Sequence, residues 1–270
     1  MRFNIAYLGP IQLAHLRRDF ILLLKYGLEA GGHDVDIADN EIVPDATNLV
    51  IGAYFQPPKA LREIEASGYR YININTEVIG ESGLNHNPAK TDLQGSYLPF
   101  IRRGIQAWDV IPENCGSGEF TFLRWGYCQE MEEIKHREKD LDWYFFGTMS
   151  ERRKKIIASL PGRGFADHAC TYMTRNDRIA RAKVNLNIVQ ADKYTHVNSF
   201  RVCYLAQNRC AVVTEKESDP AGYLDAMTIA EDSLADAVAE VSRDWRRHAE
   251  RAHSAFKARP SMAACLEAIL

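Results

Sequence analysis

The chain has 270 residues, 46% hydrophobic and 26% charged, with a formal net charge of −3. That length holds one large or two small domains of ordinary globular composition, and the charge balance gives no reason to expect general attraction to nucleic acid or membrane surfaces. Six cysteines without C-x-x-C spacing imply neither a zinc site nor a disulfide framework, and no apolar run approaches the roughly 20 residues of a membrane helix.

Residues 2–8 read as an apolar strand closed by Gly9 and Pro10, followed by an amphipathic helix over 11–30 that ends at Gly31 and Gly32. Strands follow at 33–38 and 48–54, then a helix at 58–67 and a strand at 71–76. Strands alternating with helices predict a parallel, doubly wound sheet. Residues 82–95 are rich in turn formers and read as a loop. A helix over 96–107, a strand-like step at 107–111 and a strand over 119–127 complete the first half. The charged run 129–141 is the best domain boundary.

The alternation then restarts. Strands are expected at 142–146, 165–170, 183–189, 210–214 and 227–229. Helices are expected at 151–159, 176–182, 198–207, 219–226, 233–242, 244–257 and 261–269. The organisation expected is an N-terminal domain over 1–135, a C-terminal domain over 136–258, and a last helix within 259–270 packing back on the first domain.

Residues 198–215 carry the most information. They read as a helix, a turn at Asn208 and Arg209, and a short strand ending on Glu215. Open α/β sheets build ligand sites at the carboxyl ends of their strands. A cation near the helix start, Arg201, and a carboxylate at the next strand end suit a ligand carrying both phosphate and hydroxyls, such as a nucleotide-sugar. Glu217 is the alternative if the strand boundary shifts. Upstream, Gly147 follows an apolar strand and precedes a helix with Ser150 as N-cap. The free N–H groups and the positive dipole end there suit a pyrophosphate, with Arg152 and Arg153 available for two-pronged contacts. The ordinary alternative is a solvated basic helix after a glycine turn. Asn198 and Ser199 can cap their helix, and His196 just before it is equally a sugar or phosphate contact and a surface histidine.

The blocks at 142–155, 181–189 and 198–215 resemble, in order and spacing, the donor-binding half of GT-B glycosyltransferases. Over residues 70–230 the chain is most similar to small bacterial CgeB-type and group 1-like members. The resemblance implies two Rossmann-like domains facing across a cleft. By the same resemblance Arg201 would hold the donor diphosphate and Glu215 the ribose, with Gly147, Arg152, Arg153, His196, Asn198 and Ser199 around them. Gln12 or His15, in the first loop, would touch donor or acceptor. Glu77, with Glu81 as competitor, would be the general base if the reaction inverts the anomeric centre. Retention would require no such base.

No Asp-x-Asp stands at a strand end, so neither a catalytic metal nor a cofactor is expected, the nucleotide-sugar serving as co-substrate. Helix dipole and arginines would stabilise the departing diphosphate. The expected activity is glycosyl transfer to a hydroxyl acceptor, with a saccharide, a lipid-linked sugar, a protein and a modified DNA base all open. The alternative is a non-catalytic nucleotide-sugar-binding protein of the same fold. A cytoplasmic location is expected, with no integral membrane segment, and a homodimer is compatible with the chain's size.

Overall fold

A computed structural model describes residues 1–79, 93–168, 170–192 and 194–270, with the side chains of 11–16 and 93–94 excepted. The chain divides into two compact units, one of Met1–Gly126 with Ser261–Leu270, the other of Tyr127–Pro260.

In the first unit the strands are β1 (Arg2–Tyr7), β2 (Asp34–Asp39), β3 (Thr47–Ile51), β4 (Tyr71–Asn75), β5 (Gln106–Asp109) and β6 (Thr121–Phe122). They form one parallel sheet in the order β2-β1-β3-β4-β5-β6. β1, β3 and β4 are buried along nearly their whole length, as expected of strands covered on both faces. The helices are α1 (Ile11–Ala30), α2 (Pro58–Ala66), α3 (Leu98–Arg103) and, from the chain's far end, α9 (Met262–Glu267). Gly27 of α1 allows close approach of α9, because a Cβ there would lie 2.7 Å from Met262 Cγ and 2.8 Å from Leu266 Cδ1.

The second unit repeats the plan. Its strands β7 (Leu141–Phe146), β8 (Gly164–Asp167), β9 (Ala182–Asn187), β10 (Ala211–Glu215) and β11 (Thr228–Ala230) pair in parallel, in the order β11-β10-β9-β7-β8. Its helices are α4 (Glu151–Ala158), α5 (Tyr172–Arg181), α6 (Ser199–Gln207), α7 (Leu234–Arg243) and α8 (Trp245–Lys257). Trp143, Phe145, Val184, Leu186 and Val213 form the core under α7 and α8, with Val238, Val241 and Ala249.

In each sheet the first strand lies between the second and the third. The connections therefore leave its two sides in opposite directions, and the ends of β1/β3 and of β7/β9 are topological switch points, where open sheets bind ligands.

Two expected elements differ. Residues 219–226 are turns, not a helix. Asp219 Oδ2 accepts from the Leu224 amide at 2.6 Å, and Gly222 takes a φ of 68°, which a helix excludes. The strand expected over 119–127 shrinks to Thr121–Phe122, and the Tyr127 amide donates to the Pro260 carbonyl instead of a sheet neighbour. The turn at Asn208 and Arg209 is present, with Arg209 left-handed at φ 51°.

Candidate functional site

Two arginines fill the switch point of the second sheet. Ser150 caps α4, accepting from the Arg153 amide at 3.3 Å, and so fixes the first turn. The Arg153 side chain turns inward, donating through Nε and Nη2 to the Ile188 carbonyl (3.0 and 2.6 Å) and through Nη1 to the Thr148 carbonyl (2.7 Å). It thus joins the loops after β7 and β9. Asn198 caps α6, accepting from the Arg201 amide at 3.2 Å. Arg201 then reaches Asn187 Oδ1 through Nη1 (2.7 Å) and the Phe146 carbonyl through Nη2 (3.0 Å). Both guanidiniums lie about 5 Å from the Phe145 ring centroid.

These cations are only 5% and 6% exposed, yet their partners are neutral oxygens. Among the described residues neither makes an ion pair, and Arg201 Nε has no hydrogen-bond partner. Burial pushes the Arg201 guanidinium down to about 9, with Arg153 adding repulsion and Glu217 opposing. Burial likewise pushes Arg153 down to about 10. A buried cationic pair held only by neutral oxygens favours an anion beside it on electrostatic grounds.

Gly147 makes this approach possible. It has φ +143°, and a Cβ there would lie 2.7 Å from Arg201 Nη2. Gly147→Ala is therefore expected to cost roughly 1–3 kcal/mol of stability, read from urea unfolding, and to weaken anion binding by displacing Arg201. An unchanged midpoint and unchanged binding would show that the backbone and Arg201 relax freely.

Glu215 closes β10, but its carboxylate is occupied. Arg152 grips it with both Nη atoms (3.0 and 2.6 Å), and the Val189 amide donates to it at 2.7 Å. Arg152 is thereby committed to Glu215 and Asp192. Glu217, two residues on, is held by one bond from Asn187 Nδ2 at 2.9 Å. Burial pushes its pKa up to about 8, with Arg201 and Asn187 opposing. Glu217, Glu215, Val189, Tyr194 and Ser218 help line a pocket of about 560 Å³. His196 lies edge-on to Tyr194 and pairs through its backbone with Ser218. Ser199 is buried at the start of α6.

In the first unit Glu77 follows β4 and is 6% exposed. Its carboxylate accepts from Arg17 Nη2 (2.7 Å) and Tyr54 Oη (3.0 Å). Burial and the neighbouring Glu77 carboxylate raise the Tyr54 phenol, while Arg17 opposes. Glu81 lies outside the described residues, as do the side chains of Gln12 and His15. The sequence reading gave no role to Asp109, which is fully buried beside Glu77's main chain. Trp108 and Trp125 are buried in the core rather than presented at a surface.

Among the described residues no cluster of His, Cys, Asp and Glu is arranged to hold a metal ion, and no helix is long and apolar enough to cross a membrane.

No family model and no curated protein matches the sequence. Solved structures do match in fold. One is an α-glucosyltransferase in complex with UDP and a 13-mer DNA containing an HMU base, with TM-score 0.66 and 8% identity over 99% of this chain and 98% of that one. A second is T4 phage BGT with its UDP-glucose substrate, with TM-score 0.60 and 14% identity over 99% and 98%; it is also known with UDP and Mn2+. A third is WaaG, a glycosyltransferase involved in lipopolysaccharide biosynthesis, with TM-score 0.54 and 14% identity over 99% and 98%. With two parallel-sheet units and matches spanning nearly the whole of both chains, this protein has a GT-B-like fold.

Proposed function

We propose that the chain is a glycosyltransferase that moves a sugar from a nucleoside-diphosphate donor to a hydroxyl acceptor. The observation that carries this reading is the buried Arg153–Arg201 pair at a topological switch point, without a carboxylate partner among the described residues. A diphosphate supplies the missing negative charge, and charge developing on it as the glycosidic bond breaks is stabilised by preorganised donors. The adjoining pocket has room for a nucleoside. UDP in several matched structures makes a uridine donor the first to test. The proposal takes the reaction as metal-independent, the two arginines doing the work of a cation, although BGT has been seen with Mn2+. It also keeps the CgeB-type resemblance of the sequence blocks.

Within the donor site, Glu217 is the better ribose ligand, because Glu215 is saturated by Arg152 and Val189. This gives a signed pH dependence. Hydroxyls donate to the ionised carboxylate, whose pKa in the free protein is about 8. Donor affinity is therefore expected to rise as pH increases from 6 through 8, as the protonated fraction that competes with the hydroxyls falls. Titration calorimetry across this range is the measurement, and Glu217→Gln should flatten the rising limb. An equally steep limb in the variant would return the role to Glu215.

For the acceptor, we favour a hydroxymethyl base in DNA, since DNA accompanies the matched α-glucosyltransferase. A thermal-shift screen against UDP-, GDP-, TDP-, ADP- and CMP-sugars, followed by transfer assays on DNA and saccharide acceptors, tests the whole reading. Stabilisation by one nucleotide class supports it. No stabilisation by any of them overturns it.

A further inference from the structure

We propose that Asp109, Asn75 and Asn114 form a buried cradle that fixes the main chain at Glu77, which makes Asp109 a positioning residue for the transfer reaction. This rests on the reading of Glu77 as the acceptor-side base. Asp109 ends β5 and lies directly across from Asn75, which ends β4. Asn75 Nδ2 donates both to Asp109 Oδ2 (2.7 Å) and to the Glu77 carbonyl (2.6 Å). Asn114 Nδ2 does the same, at 2.9 and 3.0 Å. Asn114 Oδ1 accepts from the Ile79 amide at 3.2 Å. Two amide side chains thus each span the carboxylate and the same backbone oxygen. Tyr97 Oη donates to Asn75 Oδ1 at 2.9 Å and orients that amide, while the Ile111 amide holds Asp109 Oδ1 at 2.8 Å.

Asp109 is 0% exposed and has no ion pair among the described residues. Burial pushes its pKa up to about 7. The amides of Asn75, Ile111 and Asn114 oppose the rise, and Glu113 adds to it. The other titratable groups near it, Cys115 and Tyr97, carry no positive charge. Burying an acid without a cation is costly, and a sheet keeps such a group where it orders something. Here the ordered segment is the one that carries Glu77, whose carboxylate is gripped separately by Arg17 and Tyr54.

The test compares Asp109→Ala, Asp109→Asn and Asn114→Ala with the unaltered chain, using UDP-glucose as donor and a DNA duplex bearing a hydroxymethyl base as acceptor. Asparagine can keep an oxygen at the Oδ2 position, and with it both amide bonds, losing only the Ile111 contact. Donor affinity is expected to stay within about twofold in all three. Transfer should fall about 10- to 100-fold in Asp109→Ala and Asn114→Ala, as for a misplaced catalytic group, and recover in Asp109→Asn. Exchange of the Ile79 amide should quicken in Asn114→Ala, a readout independent of activity. Asp109 binds more proton in the folded than in the unfolded chain between pH 3.8 and about 7. Its contribution to stability therefore falls as pH rises through that window, and Asp109→Asn removes that contribution, making the slope shallower than in the unaltered chain. Normal turnover with normal Ile79 protection in Asn114→Ala would overturn the cradle, even if Asp109→Ala fails to fold. Quickened exchange together with normal turnover in Glu77→Gln would leave the cradle standing and overturn the reading of Glu77.

Discussion

Arg201→Ala is expected to weaken nucleotide-sugar binding at least about 100-fold, the equivalent of ~3 kcal/mol for charge-assisted hydrogen bonds to phosphate. Three features of Arg201 make the effect large. It is buried, so its field is little screened by water. It is held in place by Asn187 and the Phe146 carbonyl, so little side-chain ordering is left for the ligand to impose. Among the described residues its Nε lacks a partner. Arg201→Lys keeps the charge but not the planar fork, and should retain only part of the affinity. Calorimetry with the preferred donor, on variants whose melting is still cooperative, decides the point. An Arg201→Ala protein that binds donor as the unaltered chain does would remove the diphosphate from this switch point. Because the alanine also relieves repulsion on Arg153, the protein without ligand need not lose stability. A large loss in binding without a matching loss in melting temperature is the signature of a functional arginine rather than a structural one.

The sheets were legible because their signals are local. Apolar runs such as residues 2–8 and 210–214, punctuated by Gly9 or by Asn208 and Arg209, predict parallel strands without knowledge of their partners. The supposed helix at 219–226 failed for an equally local reason that composition hides. Asp219 captures the Leu224 amide, and Gly222 adopts a positive φ, so the backbone leaves the helical region despite its apolar residues.

At the site, Arg201, Arg153 and Gly147 could be named from their positions after strands and at helix starts. What could not be read was pairing across long sequence separations. Arg152 looked as free as Arg153 until the fold placed it on Glu215, 63 residues away. That single contact occupies the Glu215 carboxylate, while Glu217, lining the same pocket, is held by one bond from Asn187. Asp109 was invisible for the same reason. Its meaning lies in Asn75, on the neighbouring strand, and in the Glu77 carbonyl, and an Asp at the end of a short strand carries no such information alone.

Glu77→Gln is expected to lower the transfer rate by about 10²- to 10⁴-fold, the usual contribution of a general base, while leaving donor affinity unchanged. In the inverting reaction the acceptor hydroxyl gives its proton to a Glu77 oxygen as its own oxygen bonds to the anomeric carbon. The carbon–oxygen bond to the diphosphate breaks, and the leaving group takes the electron pair. Arg17 Nη2 at 2.7 Å and Tyr54 Oη at 3.0 Å both reach Glu77 Oε1 and hold the carboxylate in place. The glutamine keeps the shape of the side chain and removes its basicity, so a misfolded site cannot account for a selective loss of rate. Stereochemistry supplies the cross-check. An inverted product together with a slow Glu77→Gln enzyme fits this assignment. A retained configuration with undiminished turnover in the variant would assign the Arg17–Tyr54–Glu77 group to holding the end of β4 and remove it from the chemistry.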